Sequence, residues 1–526
     1  MRRLSLVLAA VLALGSMSAD AAERVVFHVR LAEASDKAVS GRLLIFAQPL
    51  AEAQAGNNGK TPNALGVDEF HPRKVAIAAQ EVSGLAPGAT IDIDADVTAF
   101  PQGFSTLAPG RYAVQAMLDQ AHSYVYRRAG AGDLVSPVTE LDLPAGGELA
   151  LTKALSDHDP WEAWRNDKPE MVAALAEGKR ENKLFDFVSP ALTAFSGRPT
   201  HIRAWVVTPP EYAAHPERRY PTVFYTHGFF GSLNGLARLS ATVRDRMAKG
   251  QFPQMIWVFV DQSLPTGTEE FADSVNNGPW GEAMTREFIP ALEKSYRMDG
   301  RASGRFLTGH SSGGWATLWL QTRYPALFGG TWSTSPDPSD FHDFLGVDLY
   351  APGANLYHKP DGSPYALARD KGAFLVGMQD FAQMELALGE YGGQFTSFDW
   401  VFSPRGADGR PLPMFDHLTG AVDPAVLTYW HDHYDIAYRV TKDWPSLKKD
   451  LDGKIHVTVG TADTFFLDGA AHRLDDALKS VGAHASFTYL PDRTHFDLYQ
   501  VGEDSDGLLR QFSWEMHKIA RPGSRK

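Results

Sequence analysis

The chain has 526 residues, 44% apolar and 11% aromatic, with 12 Trp and 30 Phe; that is enough for two or three packed domains and excludes disorder over most of the length. Its formal charge of -13 argues against nucleic acid as a main partner, because polyanion binding draws on excess Lys and Arg. Cysteine is absent, which excludes disulfides, thiol catalysis, cysteine zinc sites and a lipoprotein anchor.

The first residues read as an export signal. Arg2-Arg3 precede an apolar run over residues 4–14, and Ala19-Asp20-Ala21 has the A-x-A form of a cleavage site. A signal peptide over residues 1–21 and a bacterial-type periplasmic or secreted location are therefore expected. The run is too short to span a bilayer, so no membrane span is expected there or later.

Residues 22–150 are expected to form a β-sandwich-like domain. Stretches 24–31, 41–49 and 110–118 read as strands, and 89–94 alternates apolar with polar as a half-buried strand does. No catalytic constellation occurs there, so the expected role is packing on the main domain and shaping the substrate entrance. Residues 151–185 read as a helical linker that docks through Trp161 and Trp164, followed by Met171, Ala174 and Leu175 at helical spacing.

From 186 to 526 strands alternate with helices, which predicts an α/β fold with a mostly parallel sheet covered on both faces. Residues 220–226 and 254–260 are nearly continuous apolar runs, as in strands buried on both sides. Further strands are expected at 201–208, 306–308, 328–333, 455–459 and 486–490, with helices at 284–296 and 314–323. Residues 339–449 are too long for a connection. They are rich in Gly, Pro, Asp and aromatics and are expected to fold as an insertion, a lid over the site.

The chemistry centres on Gly309-His310-Ser311-Ser312-Gly313, a G-x-S-x-G pentapeptide. This pattern suits a tight strand-to-helix turn that lifts a serine hydroxyl to the top of a sheet. The two glycines belong where a Cβ has no room. Acyl transfer by serine also needs a base, a carboxylate to orient it, and N–H donors for the oxyanion. The α/β-hydrolase order is nucleophile, acid, histidine. His495 follows the last expected strand and is the candidate base. Asp463 follows the strand before it and is the candidate acid, with Asp468 and Asp337 as alternatives. The oxyanion donors are expected to be the N–H groups of Ser312 and of Phe229, the latter in His227-Gly228-Phe229-Phe230-Gly231. His310 is expected to pack or hydrogen-bond away from the serine. Asn277 and Trp280 are candidates for substrate binding. His431-Asp432-His433 lacks a clear third ligand, so neither a metal nor a cofactor is expected.

With these motifs, residues 186–515 resemble the Putative esterase family of α/β-hydrolases, which includes esterase D-like enzymes, feruloyl esterases, enterochelin esterases and mycolyltransferases. The matching text is Arg219-Tyr220-Pro221 leading to the His227 loop, Phe288-Ile289-Pro290 with Tyr296-Arg297, the Ser311 pentapeptide with Gly314, and Tyr324-Pro325-Ala326-Leu327-Phe328. The resemblance implies Ser311, Asp463 and His495 as a triad. The long insertion and the added β-rich region depart from a minimal member, so the ester is left open.

The reading is a secreted serine carboxylesterase acting through an acyl-enzyme on Ser311, on a small-molecule or carbohydrate-linked ester. The alternatives are an acyltransferase of the same fold, a peptidase, or a non-catalytic binding protein on a hydrolase scaffold. Oligomeric state is not legible.

Overall fold

The computed structural model describes residues 24–523 apart from 34, 123, 125, 127 and 128. The expected signal at 1–21 lies outside the described residues. The β-rich N-terminal region is two sheets sharing an apolar core. One joins Thr90–Asp94, Val26–Leu31 and Gly147–Leu151. The other is centred on Val39–Pro49, between Ala76–Leu85 and Gly110–Asp119.

Period-two geometry explains how the central strand serves two cores. Leu43, Ile45 and Ala47 join Phe27 and Val29 between the sheets, while Leu44 and Phe46 join a second cluster shared with later helices. Burial on both faces is why this strand lacks polar alternation.

The linker departs from expectation in one residue. Trp161 is 9% exposed and meets Trp205 edge-on at 4.9 Å, but Trp164 is 64% exposed, with the Arg238 guanidinium over its ring at 3.9 Å. Docking is completed instead by the helix Pro169–Glu181, which buries Ala174 and Leu175 against the helix Leu233–Ala248.

The second half is organised on a mixed eight-stranded sheet. Its strands are β1 (Lys183–Val188), β2 (His201–Val207), β3 (Thr222–Thr226), β4 (Ile256–Val260), β5 (Arg305–His310), β6 (Gly330–Thr334), β7 (Ile455–Gly460) and β8 (Ala485–Leu490). The spatial order is β1-β2-β4-β3-β5-β6-β7-β8. The pairs β1–β2 and β2–β4 are antiparallel, and every pair from β4 to β8 is parallel. β3 and β4 are buried at every residue, as their apolar runs required.

Between β6 and β7 the chain forms a hairpin (Ala366–Asp370 with Ala373–Gly377) and the helices Met378–Leu388, Gln394–Phe402, Pro424–Tyr434 and Ile436–Leu451. Phe341, Phe402 and Trp430 meet within this segment in tilted and edge-on contacts at 5.3–6.0 Å. Phe402 also meets Trp315, on the helix after the pentapeptide, at 4.8 Å. The segment also holds the N-terminal region. Arg73 grips Asp380 through two 2.7 Å hydrogen bonds, and the Tyr126 hydroxyl donates to Glu385 at 2.6 Å. No helix among the described residues is long and apolar enough to cross a membrane.

Candidate active site

Strand register assembles the site. Ser311 lies directly after β5 and before the helix Ser312–Arg323. Gly309 pairs with Thr226 of β3, so the loop beginning at His227 leaves the sheet beside the serine. His310 pairs with Thr334 of β6, so Ser335, Pro336 and Asp337 emerge on the other side. β7 and β8 end one and two strands further on and supply Asp463 and His495.

Ser311 has φ 59° and ψ -126°, a left-handed conformation that a non-glycine residue enters only under strain. The flanking glycines are sterically required. A Cβ on Gly309 would stand 2.2 Å from the Gly313 carbonyl oxygen, and one on Gly313 would stand 2.5 Å from those of Thr226 and His227. Gly228 lets the neighbouring loop pass the serine, since its Cβ would lie 2.8 Å from that of Ser311.

His495 Nδ1 lies 3.0 Å from Asp463 Oδ2, and the two side chains are 6% and 0% exposed. The other Asp463 oxygen accepts from the N–H of Phe465 at 2.9 Å and of Leu467 at 3.4 Å. Burial opposes ionisation of Asp463, but the interaction with His495 and the hydrogen bonds outweigh it and hold the carboxyl below its ordinary range. The β7 and β8 loops are tied by Thr461 N–H to the Leu490 carbonyl and Ala462 N–H to that of Arg493, at 3.0 and 3.1 Å. Asp468 is engaged elsewhere, with Arg369 at 2.9 Å.

Asp337 sits somewhere other than beside the imidazole. It accepts from the Ser311 hydroxyl at 3.3 Å and from that of Ser312 at 2.6 Å. Burial pushes its carboxyl up to about 6. The Ser311 hydroxyl is thus bonded to an acidic residue other than the one that pairs with His495.

His310 packs its ring on that of His495, with centroids 4.3 Å apart, and its Nδ1 lies 3.1 Å from Thr334 Oγ1. Burial, reinforced by His495, lowers its pKa to about 3, so it stays neutral.

Ser312 opens its helix, where N–H groups have no intrahelical acceptor. Phe229 follows Gly228 at the serine. His227 supports this loop: its ring nitrogens lie 2.7 Å from the Gly228 carbonyl and 3.0 Å from Asp261 Oδ1, and it packs under Gly231, where a Cβ would overlap it. Sequence reading missed Asp261. Its signal was its place immediately after β4, beside the strand that carries His227.

Trp280 corrects the expectation of a substrate contact. It is 4% exposed and packs with Met284, Phe288 and Leu320, its indole N–H donating to the Asn277 carbonyl at 2.9 Å. Asn277 is half-buried; its Oδ1 accepts from Thr266 Oγ1 at 3.3 Å, and its Nδ2 has no partner. His431 Nδ1 lies 2.9 Å from Asp432 and His433 Nδ1 lies 2.8 Å from the Tyr429 carbonyl.

Aromatic residues rim His495. Phe465 meets His495 edge-on at 4.9 Å, and Phe70, from the N-terminal region, stacks on Phe465 at 6.2 Å and meets Phe496 at 6.0 Å. Phe496 is 68% exposed. A separate cavity of about 1380 Å³ lies between the N-terminal region, the linker and the loop after β3, with Phe229 and Phe230 in its wall.

The sheet order, the strained serine after β5 and the paired histidine and aspartate after β8 and β7 define an α/β-hydrolase-like protein. The model of the Putative esterase family matches residues 197–489, more than half of the chain, and the chain belongs to that family. Membership supports ester hydrolysis in general. The match stops six residues short of His495, whose place is given by geometry.

Three solved structures illustrate the likeness. A ferulic acid esterase from Anaeromyces mucronatus, in complex with ferulic acid, is 14% identical over 65% of this chain and 89% of its own, with a TM-score of 0.33. Fluorophosphonate-binding serine hydrolase F of Staphylococcus aureus is 12% identical over 65% and 99%, with a TM-score of 0.36. An S-formylglutathione hydrolase from Agrobacterium tumefaciens is 14% identical over 64% and 94%, with a TM-score of 0.35. No curated protein matches the sequence.

Proposed function

We propose that the protein is a secreted serine carboxylesterase that works through an acyl-enzyme on Ser311. The observation that carries this is the 3.0 Å pairing of buried Asp463 with His495, whose ring lies against the residue preceding the strained serine. In the proposed cycle the Ser311 hydroxyl turns from Asp337 to His495 Nε2 and attacks the ester carbonyl as its proton passes to the imidazole. Asp463 accepts from Nδ1–H and stabilises the imidazolium. The N–H groups of Ser312 and Phe229 hold the oxyanion. The imidazolium then protonates the departing alcohol, and water, deprotonated by His495, releases the acid and restores the serine.

Within this reading, residues 1–21 are a cleaved signal and 22–150 an accessory β domain joined through 151–185 to the catalytic unit at 186–526. The segment 339–449 acts as the lid, which its packing on the helix after Ser311 supports. The β domain borders the entrance through Phe70 and faces the cavity behind Phe229. Labelling with a fluorophosphonate probe tests the chemistry: wild type should label and Ser311→Ala should not. Equal labelling of the two sinks the proposal. A panel of p-nitrophenyl, feruloyl and acetyl-sugar esters then sorts the acyl group.

A further inference from the structure

Near Ser311 the chain buries acidic groups that no Lys or Arg among the described residues pairs with, although Asp337 lies within electrostatic reach of His495. Asp337, which touches both Ser311 and Ser312, is 6% exposed; Glu269 and Glu270 are 0% exposed. Among the described residues none of the three forms an ion pair with Lys, Arg or His within 4 Å; the pairs present join other acids. Glu270 lies within electrostatic reach of Asp337, and Glu269 within reach of Asp261 and Asp273.

The hydrogen bonding of the two glutamates is also incomplete. One Glu270 oxygen accepts from Thr268 Oγ1 at 3.3 Å, while Oε2 has no partner. One Glu269 oxygen accepts from the Phe271 N–H, while Oε1 has none. Fully buried carboxyl oxygens without partners cost stability and are rare in native proteins, so each calls for an occupant or a task. The backbone here is unusual as well, with Glu270 and Phe271 at φ 52° and 47° in succession.

We propose that Asp337, backed by Glu270 and Glu269, is a subsite for an ammonium group of the substrate, and that the preferred esters carry a positive charge next to the scissile carbonyl, as aminoacyl esters do. The inference rests on the esterase reading above and names its substrate class. Asp337 is the member that meets the ligand, because it borders the partly exposed Ser311; Glu270, within its electrostatic reach, adds negative potential where the ammonium favours its ionised form.

Electrostatics at the reaction centre favour the same pairing. A tetrahedral oxyanion forming beside an ionised Asp337 is repelled in a site that water screens poorly. An ammonium on the substrate neutralises that carboxylate and removes the repulsion as the charge develops. Burial drives Glu269 and Glu270 well above the ordinary carboxylate range, and a cation beside Asp337 favours their ionised forms.

The experiment compares alanine methyl ester, protonated at pH 6.5, with neutral N-acetylalanine methyl ester. The readout is the ratio of their kcat/KM values in wild type, Asp337→Asn and Glu270→Gln, which cancels differences in intrinsic reactivity. The ratio should fall at least tenfold in Asp337→Asn and in the same direction in Glu270→Gln. A smaller change in Asp337→Asn overturns the subsite. Wild type alone gives a second test that needs no folded variant: alaninamide should inhibit turnover of p-nitrophenyl acetate at least tenfold more strongly than N-acetylalaninamide, and equal inhibition overturns the proposal. If fluorophosphonate labels Ser311 but neither ratio moves, the cation subsite fails and the esterase reading stands; if Ser311 is not labelled, the esterase reading itself fails.

Discussion

Replacing Asp463 by Asn tests the heart of the site with almost no change in shape. One Asp463 oxygen accepts from the N–H groups of Phe465 and Leu467, and the other faces His495 Nδ1 at 3.0 Å. An asparagine has one oxygen, and the two backbone N–H groups need it. Its NH2 group must then point at His495 Nδ1 and donate to it. That moves the imidazole proton to Nε2, where it blocks acceptance of the serine proton. A wrong tautomer of this kind in a serine triad costs about 10⁴-fold in kcat, equivalent to roughly 5 kcal/mol of transition-state stabilisation at about 1.36 kcal/mol per decade. The assay is steady-state hydrolysis of p-nitrophenyl acetate, with thermal melts to establish folding. Asp468→Asn is the control, since that residue pairs with Arg369, and its kcat should stay within about threefold of wild type. A folded Asp463→Asn enzyme within tenfold of wild type would refute the assignment and direct attention to Asp337.

Other outcomes follow from the same geometry. Gly313→Ala forces a Cβ to 2.5 Å from two carbonyl oxygens, and it should lower stability by about 1–3 kcal/mol and abolish hydrolysis, as read by urea melts and the ester assay; an unchanged melt contradicts the steric account. His310 has a folded pKa of about 3 against an ordinary 6.5, so below pH 6.5 the unfolded chain binds a proton that the folded chain refuses. Stability should therefore fall as pH drops from about 6.5 toward 3, and His310→Gln should reduce the loss between pH 7 and 5 by about 1–2 kcal/mol in urea melts; an identical loss in both proteins counts against a buried neutral histidine. Phe70→Ala removes a ring contact of about 0.5–1.5 kcal/mol at the rim of His495. It should lower kcat/KM for an aromatic acyl ester relative to an acetyl ester about two- to tenfold, and an unaltered ratio would separate the N-terminal region from specificity.

What was legible in the chain was local or periodic. The pentapeptide announces the elbow because its glycines answer contacts made within a few residues of Ser311. The apolar runs of β3 and β4 announce a buried sheet because burial on both faces leaves no place for polar side chains. The strand Ala76–Leu85 was not legible: AIAAQEVSGL has small residues where alternation should show, and its pairing with Val39–Pro49 supplies what its own sequence lacks. Trp164 and Trp280 misled for a related reason. An aromatic on a loop signals contact area, but whether that area meets solvent, core or ligand is set by distant neighbours.

By itself, then, the sequence determined the motif set: a serine in a G-x-S-x-G pentapeptide, with an aspartate and a histidine after later strands in the α/β-hydrolase order. It put Asp463 first, by its place directly after a strand, and kept Asp468 and Asp337 as alternatives. Tertiary structure sets them apart, because parallel register carries β7 and β8 to where Asp463 meets His495 while Arg369 engages Asp468 and the Ser311 hydroxyl engages Asp337. It also brought Phe70 against Phe465, which meets His495, and put Glu270 within electrostatic reach of Asp337. Chain spacing reports what a residue can do nearby; only folding fixes which charges and rings, dozens or hundreds of positions apart, share one low-dielectric site.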